Sequence, residues 1–186
     1  RLGCLPAAIA GCMMRAGLVI YDSLDSLSGG YLYDRKLVSS LVADGVQVEL
    51  YSIANDDYTK NLLHNIDPAW TRRLRTAPVD VMLQDELNHP SLVALNYRLK
   101  KQIPYPTVAV VHHLRGSESH PALLVKLYRW IERLYVNSVD GFIFNSRTTQ
   151  ASVEALLRTP KPAIVAYPAA DHLPGPAMDM AEVTAR

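Results

Sequence analysis

The sequence predicts an α/β fold: a doubly wound, mostly parallel, Rossmann-like sheet of about six strands. Three observations predict it. Short, near-continuous apolar runs recur along the chain, the mark of strands buried on both faces. Between them lie stretches with apolar residues at helical spacing, so strand and helix alternate. The chain has 186 residues, 49% hydrophobic and 20% charged. That suits one domain with a real core and excludes wholesale disorder.

The elements follow in order. Ala16 to Tyr21 (AGLVIY) reads as a first buried strand, and Asp22 to Gly30 (DSLDSLSGG) as a loop. Tyr31 to Ala43 spaces Leu32, Leu37, Val38, Leu41 and Val42 as a helix, which Asp44-Gly45 stops. Val46 to Ile53 alternates as a second strand. Asn55 to Thr76 mixes polar and apolar residues and reads as loop with one or two short helices. Val79 to Leu83 is the third strand, ending in the acidic Gln84-Asp85-Glu86; Asp85 and Glu86 could bind substrate hydroxyls, but two adjacent acids more often form a solvated turn. Asn88-His89-Pro90 opens a helix, with proline in its first turn. Thr107 to Val111 (TVAVV) is the fourth strand. A long helix spans Pro121 to Val136, a fifth strand Asp140 to Phe144, a helix Thr148 to Leu157, and a sixth strand Ala163 to Tyr167.

This pattern makes residues 16–171 the domain, 1–15 a leader or extension, and 172–186 a Pro/Gly-rich linker. Nineteen basic residues against eighteen acidic ones leave a net charge of +1. A generic nucleic-acid binder would carry a strong basic excess, so none is expected. No apolar run reaches the roughly 18 to 20 residues that span a bilayer, which leaves only a peripheral membrane contact open. Cys4 and Cys12 both precede the first strand, so neither a disulfide framework nor a cysteine metal site can be drawn. A reducing, cytoplasmic setting is the expectation.

Ligands of such sheets bind beyond the carboxyl ends of the strands. Ser28-Gly29-Gly30 would let a ligand approach a helix N-terminus, where unpaired N–H groups suit a phosphate. A plain flexible turn is the alternative. The dinucleotide fingerprint and the P-loop are both absent. His112 and His113 end the fourth strand, so one ring should face the cleft, where histidine can bind a sugar hydroxyl or move a proton. They could equally be polar loop residues. Glu118 could orient a histidine or cap the next helix. His112, His113, Glu118 and His120 could be drawn as a metal set, but all four crowd into one loop, and no metal or other cofactor is expected. Ser146 is a natural N-cap whose hydroxyl would also face the cleft. No aromatic row suggests a base-stacking platform.

Four stretches, in order, resemble one family. They are LVIYDSLDSLSGGYLYDRKLVSSLVADGVQVELYS, VAVVHHLRGSE, IERLYVNSVDGFIFNSRTTQASVEALL and IVAYPAAD. Together, from about Leu18 to Asp171, they are similar to the N-terminal domain of GT-B glycosyltransferases of the family 4 type. These are retaining enzymes that use nucleotide sugars. The resemblance implies that Gly29 and Gly30 lie against the donor diphosphate or the acceptor. It implies that His112 is the cleft histidine near the reacting sugar, with His113 beside it. Glu118 and Ser146 carry over as weaker substrate contacts. Ala169-Ala170 departs from the usual Gly-Val. The Glu-x7-Glu element of the donor-binding C-terminal domain has no counterpart after Asp171.

The resemblance therefore implies an acceptor-side half. Its partners would be a nucleotide-sugar donor, held mainly by a second domain, and a sugar, lipid or small-molecule acceptor. The uncovered interdomain face could also support a homodimer. The other reading is a non-catalytic module that binds a glycan or lipid acceptor, or regulates a partner.

Overall fold

Six parallel strands form one sheet in the order β2-β1-β3-β4-β5-β6. They are β1 (Arg15–Tyr21), β2 (Gln47–Ile53), β3 (Val81–Asp85), β4 (Thr107–Val111), β5 (Gly141–Phe144) and β6 (Ala163–Val165). The computed structural model describes residues 13–26, 28–114 and 122–168. The fold is thus α/β and Rossmann-like. All pairings are parallel, and the sheet changes winding direction between β1 and β3.

The pleat sorts side chains onto two layers. Leu18 and Ile20 of β1 join Leu83 and Val110 under helix α1 (Gly29–Ala43), which contributes Tyr31, Leu37, Val38 and Leu41. Val19 and Tyr21 point the other way. There they meet Trp70 and Leu74 of α3 (Pro68–Arg75) and Leu92 and Leu95 of α4 (His89–Leu99). Tyr135 of α5 (Ala122–Ser138) and Val153 of α6 (Arg147–Glu154) complete that layer. A short helix α2 (Tyr58–Asn61) and a 3-10 segment (Leu62–Ile66) precede α3. Each fully buried Leu, Val or Phe here stabilises the fold by about 1.5–3 kcal/mol.

The two layers are unequal. Among the described residues, α1 is the one helix whose side chains pack in the first layer, while α3 to α6 fill the second. α1 lies over the middle of the sheet, so its side of β5 and β6 is poorly covered. Ile143 and Ile164 are register partners there, and Ile164 is 61% exposed. This half-open face leaves room for a cavity.

Local chemistry explains the element ends. The Ser28 hydroxyl accepts from Tyr31 N and caps α1, and Gly45 follows the C-cap with φ +83, where a side chain would be strained. Asp67 caps α3 by accepting from Ala69 N and Trp70 N. Ser146 caps α6 by accepting from Thr149 N. Gly17 of β1 provides space: a Cβ there would stand 2.6 Å from Met82 Sδ. No helix among the described residues is long and apolar enough to cross a membrane.

One expectation is overturned. Gln84-Asp85-Glu86 is not a solvated turn. Gln84 and Asp85 end β3, Glu86 opens a 3-10 turn (Glu86–Asn88), and all three are buried, none more than 1% exposed. Acidic residues usually signal surface. Here β3 is a central strand: Gln84 bonds Asn96 of α4 on one face, and Asp85 meets Asp34 of α1 on the other.

Candidate functional site

The carboxyl ends of β4, β5 and β6 face the N-terminal half of α1 across an open cavity of about 760 Å³. Gly29, Gly30, Tyr33 and Lys36 line it from α1, His112 and His113 from the end of β4, Asn145 from β5, and Tyr167 from beyond β6. Four of the sequence-predicted residues, Gly29, Gly30, His112 and His113, therefore meet in one place. Ser146 does not line the cavity. Its hydroxyl is engaged as the α6 cap, accepting from Thr149 N at 3.1 Å. Glu118 and His120 lie outside the described residues.

The walls are held by specific contacts. The Tyr33 hydroxyl donates to Ala166 O at 2.8 Å, tying α1 to the end of β6. The Tyr33 ring meets the His112 ring edge-on, with centroids 4.9 Å apart. Thr149 Oγ1 lies 2.7 Å from Asn145 Oδ1 and 3.2 Å from His112 O, which joins the ends of β4 and β5. Gly30 is where α1 approaches closest: a Cβ there would stand 3.3 Å from His112 Cδ2. Nothing lies within 4 Å of a Cβ placed on Gly29, which keeps that end of α1 accessible.

Beneath His112 lie Asp34, which sequence reading does not single out, and Asp85, which it names as one possible contact for substrate hydroxyls. His112 Nε2–H donates to Asp34 Oδ1 at 3.2 Å. This bond engages Nε2 and fixes the orientation of the ring. Asp34 is fully buried despite its position on an amphipathic helix. Asp85, from the end of β3, is fully buried as well, and its Oδ1 accepts from Leu87 N at 3.0 Å. Asp34 Oδ2 and Asp85 Oδ2 have no hydrogen-bond donor. Burial, and then the Asp34 charge, pushes the Asp85 carboxyl well above the ordinary range. The two carboxyls can bond each other only if one carries a proton. Tyr31, whose hydroxyl donates to Tyr21 O at 3.0 Å, is pushed up to about 12 by burial and then by Asp85, Asp22 and Asp34. Burial, with Asp34 adding, raises Tyr33 too.

A second acid–histidine pair stands close by. His89 Nδ1 donates to Glu86 O at 2.9 Å, and its Nε2 accepts from the Tyr58 hydroxyl at 3.0 Å. His89 is 2% exposed and lines no described cavity. Tyr135, above it, is pushed up mainly by burial, with Glu86 adding.

No protein-family model matches the chain, and no curated protein does. Function must therefore be argued from the site itself. The cavity offers an approachable helix N-terminus, an imidazole oriented by a buried carboxylate, an amide and a mostly apolar wall of Leu32, Tyr33, Leu37 and Pro168. Such a set can bind an anion or hydroxyls at one end and an apolar group at the other.

Proposed function

We propose that this chain is the acceptor-side domain of a retaining glycosyltransferase that uses a nucleotide diphosphate sugar. The observation that carries the reading is the meeting of His112 with Gly29-Gly30 in one cavity at the strand carboxyl ends. The resemblance implies that His112 lies near the reacting sugar, and Gly29 and Gly30 against the donor diphosphate or the acceptor.

The chemistry follows from these groups. The acceptor hydroxyl oxygen bonds to the anomeric carbon as the bond from that carbon to the diphosphate oxygen breaks. The nucleoside diphosphate leaves with the electron pair, and the hydroxyl proton passes to a leaving-group oxygen on the same face. His112, held by Asp34, would fix a sugar hydroxyl near the reacting carbon. The first turn of α1 would face the developing phosphate charge. Leu32, Leu37 and Pro168 favour an acceptor with an apolar portion. The nucleotide would be held mainly by a second domain facing the cavity.

The test is turnover by the natural polypeptide in which these residues occur, with a panel of uridine, guanosine and adenosine diphosphate sugars. The expected result is transfer with the donor's anomeric configuration kept, and its loss in His112→Ala. Inverted product would refute the reading. The apolar wall also favours the non-catalytic module: acceptor-like glycolipids would then bind in this cavity with no nucleoside diphosphate released.

A further inference from the structure

We propose that Asp34, Asp85 and His112 form a binding site for one divalent transition-metal ion, of which Zn²⁺ is the best-matched probe. The inference does not rest on sugar transfer, and it departs from the expectation, drawn from the sequence, that no metal binds. Its residues also differ from the loop histidines and Glu118 that a sequence reading would choose.

The geometry comes first. Each of the three residues offers one ligand atom, and these atoms lie within 4.8 Å of one another. Ligand atoms at about 2.0–2.2 Å from one zinc ion sit at most about 4.4 Å apart. Small side-chain rotations therefore bring the three into a single coordination sphere. The residues come from three separate elements, α1, β3 and the end of β4, so the backbone holds them without relying on one loop.

Charge comes second. Asp34 and Asp85 are both 0% exposed, and each has a carboxylate oxygen with no donor. A buried polar atom left unpaired costs about 1–3 kcal/mol, and a buried charge more. The groups that act most on Asp85 besides Asp34 include Glu86, a third acid. Arg35, the nearest arginine in sequence, is turned away and bonds Leu24 O and Ser26 O. Among the described residues, the His112 imidazole bonds the pair at Asp34 Oδ1, 3.2 Å away. A divalent ion would compensate both carboxylates and take the neutral imidazole as its third ligand.

Donor chemistry selects the ion. Two carboxylate oxygens and one imidazole nitrogen suit zinc, manganese or iron better than magnesium, which prefers oxygen and water. Three protein ligands also leave a coordination position for water or a substrate oxygen, as in catalytic rather than structural sites. His112 lines the large cavity, while Asp34 and Asp85 are fully buried and do not line it. Binding would release the Nε2 proton and any proton shared by the carboxyls.

The test is calorimetric titration of the chelator-treated chain with Zn²⁺, and separately with Mg²⁺. One Zn²⁺ should bind per chain, and Mg²⁺ at least tenfold more weakly. Asp34→Asn and Asp85→Asn should each weaken Zn²⁺ at least tenfold, while Asp57→Asn, at a carboxylate 81% exposed, should change nothing. Co²⁺ added to the unaltered chain should show the visible absorption of mixed nitrogen and oxygen ligation, which needs no variant to fold. A Co²⁺ spectrum identical to that of the hydrated ion overturns the proposal. So does Zn²⁺ affinity that survives both asparagine variants.

Discussion

Asp34–His112 and Glu86–His89 are both acid–histidine pairs at the carboxyl edge of the sheet, yet their surroundings differ. Both His89 nitrogens are used by protein, by Glu86 O and the Tyr58 hydroxyl, and the ring, at the start of α4, is buried. His112 spends one nitrogen on Asp34 and presents its ring at a cavity wall. Beneath it, Asp34 and Asp85 keep carboxylate oxygens without donors, as Glu86 Oε1 does beside His89, so it is access to the cavity that differs. The difference separates a pair that holds the fold from one placed to meet a ligand. Residue type alone would rank the two alike.

Substitutions can break or sharpen that contrast. The largest expected effect on stability is at the sealed pair. His89→Ala removes a buried ring and its two hydrogen bonds, to Glu86 O and to the Tyr58 hydroxyl, at about 3 kcal/mol, read by chemical denaturation. His112→Ala, at an open wall, should cost much less on the same scale. A reversed order would dissolve the distinction.

Next comes pH. The raised Asp85 pKa means that its stabilising contribution is complete below the unfolded value of about 3.9 and is lost as pH rises through the folded value. Metal-free protein should therefore lose up to about 1 kcal/mol per pH unit across that range, with Asp34, Glu86, Tyr31 and His112 as the facing groups. Asp85→Asn, which cannot ionise, should flatten the slope in thermal melts taken across pH. An unchanged slope would place the titration elsewhere.

Two smaller effects separate neighbouring glycines. Gly30→Ala presses on the His112 ring at 3.3 Å, so ligand binding should weaken while stability stays within about 1 kcal/mol. Gly29→Ala meets nothing within 4 Å and should stabilise α1 by at most about 1 kcal/mol without moving His112. Thermal melts and ligand titration of the two variants side by side would show whether the pressure on His112 matters.

Much of this architecture was legible in the sequence. Thr107 to Val111 is an uninterrupted β-branched and alanine run, and it forms β4 with those bounds. Ser146 was readable as a cap because hydroxyl capping is local chemistry. Asn55 to Thr76 was less clear, since its short helices are fixed by distant contacts such as Asn65 Oδ1 accepting from Ala94 N. The cavity's glycines and histidines could be found by their place at strand ends. Asp34 beneath them could not. Asp34 meets His112 across 78 positions, and only the packing of α1 onto the sheet brings them together. Asp85 reads most simply as part of a solvated turn because burial depends on what covers a strand end, and α1, through Asp34, supplies that cover.

The most direct test of the central claim is kcat/KM for His112→Ala and His89→Ala, each corrected for the folded fraction, in the natural polypeptide with its responsive donor sugar. The account predicts a loss of about 10²–10⁴-fold for His112→Ala and little change for folded His89→Ala. Equal losses in the two variants, or full activity without the His112 imidazole, would contradict it.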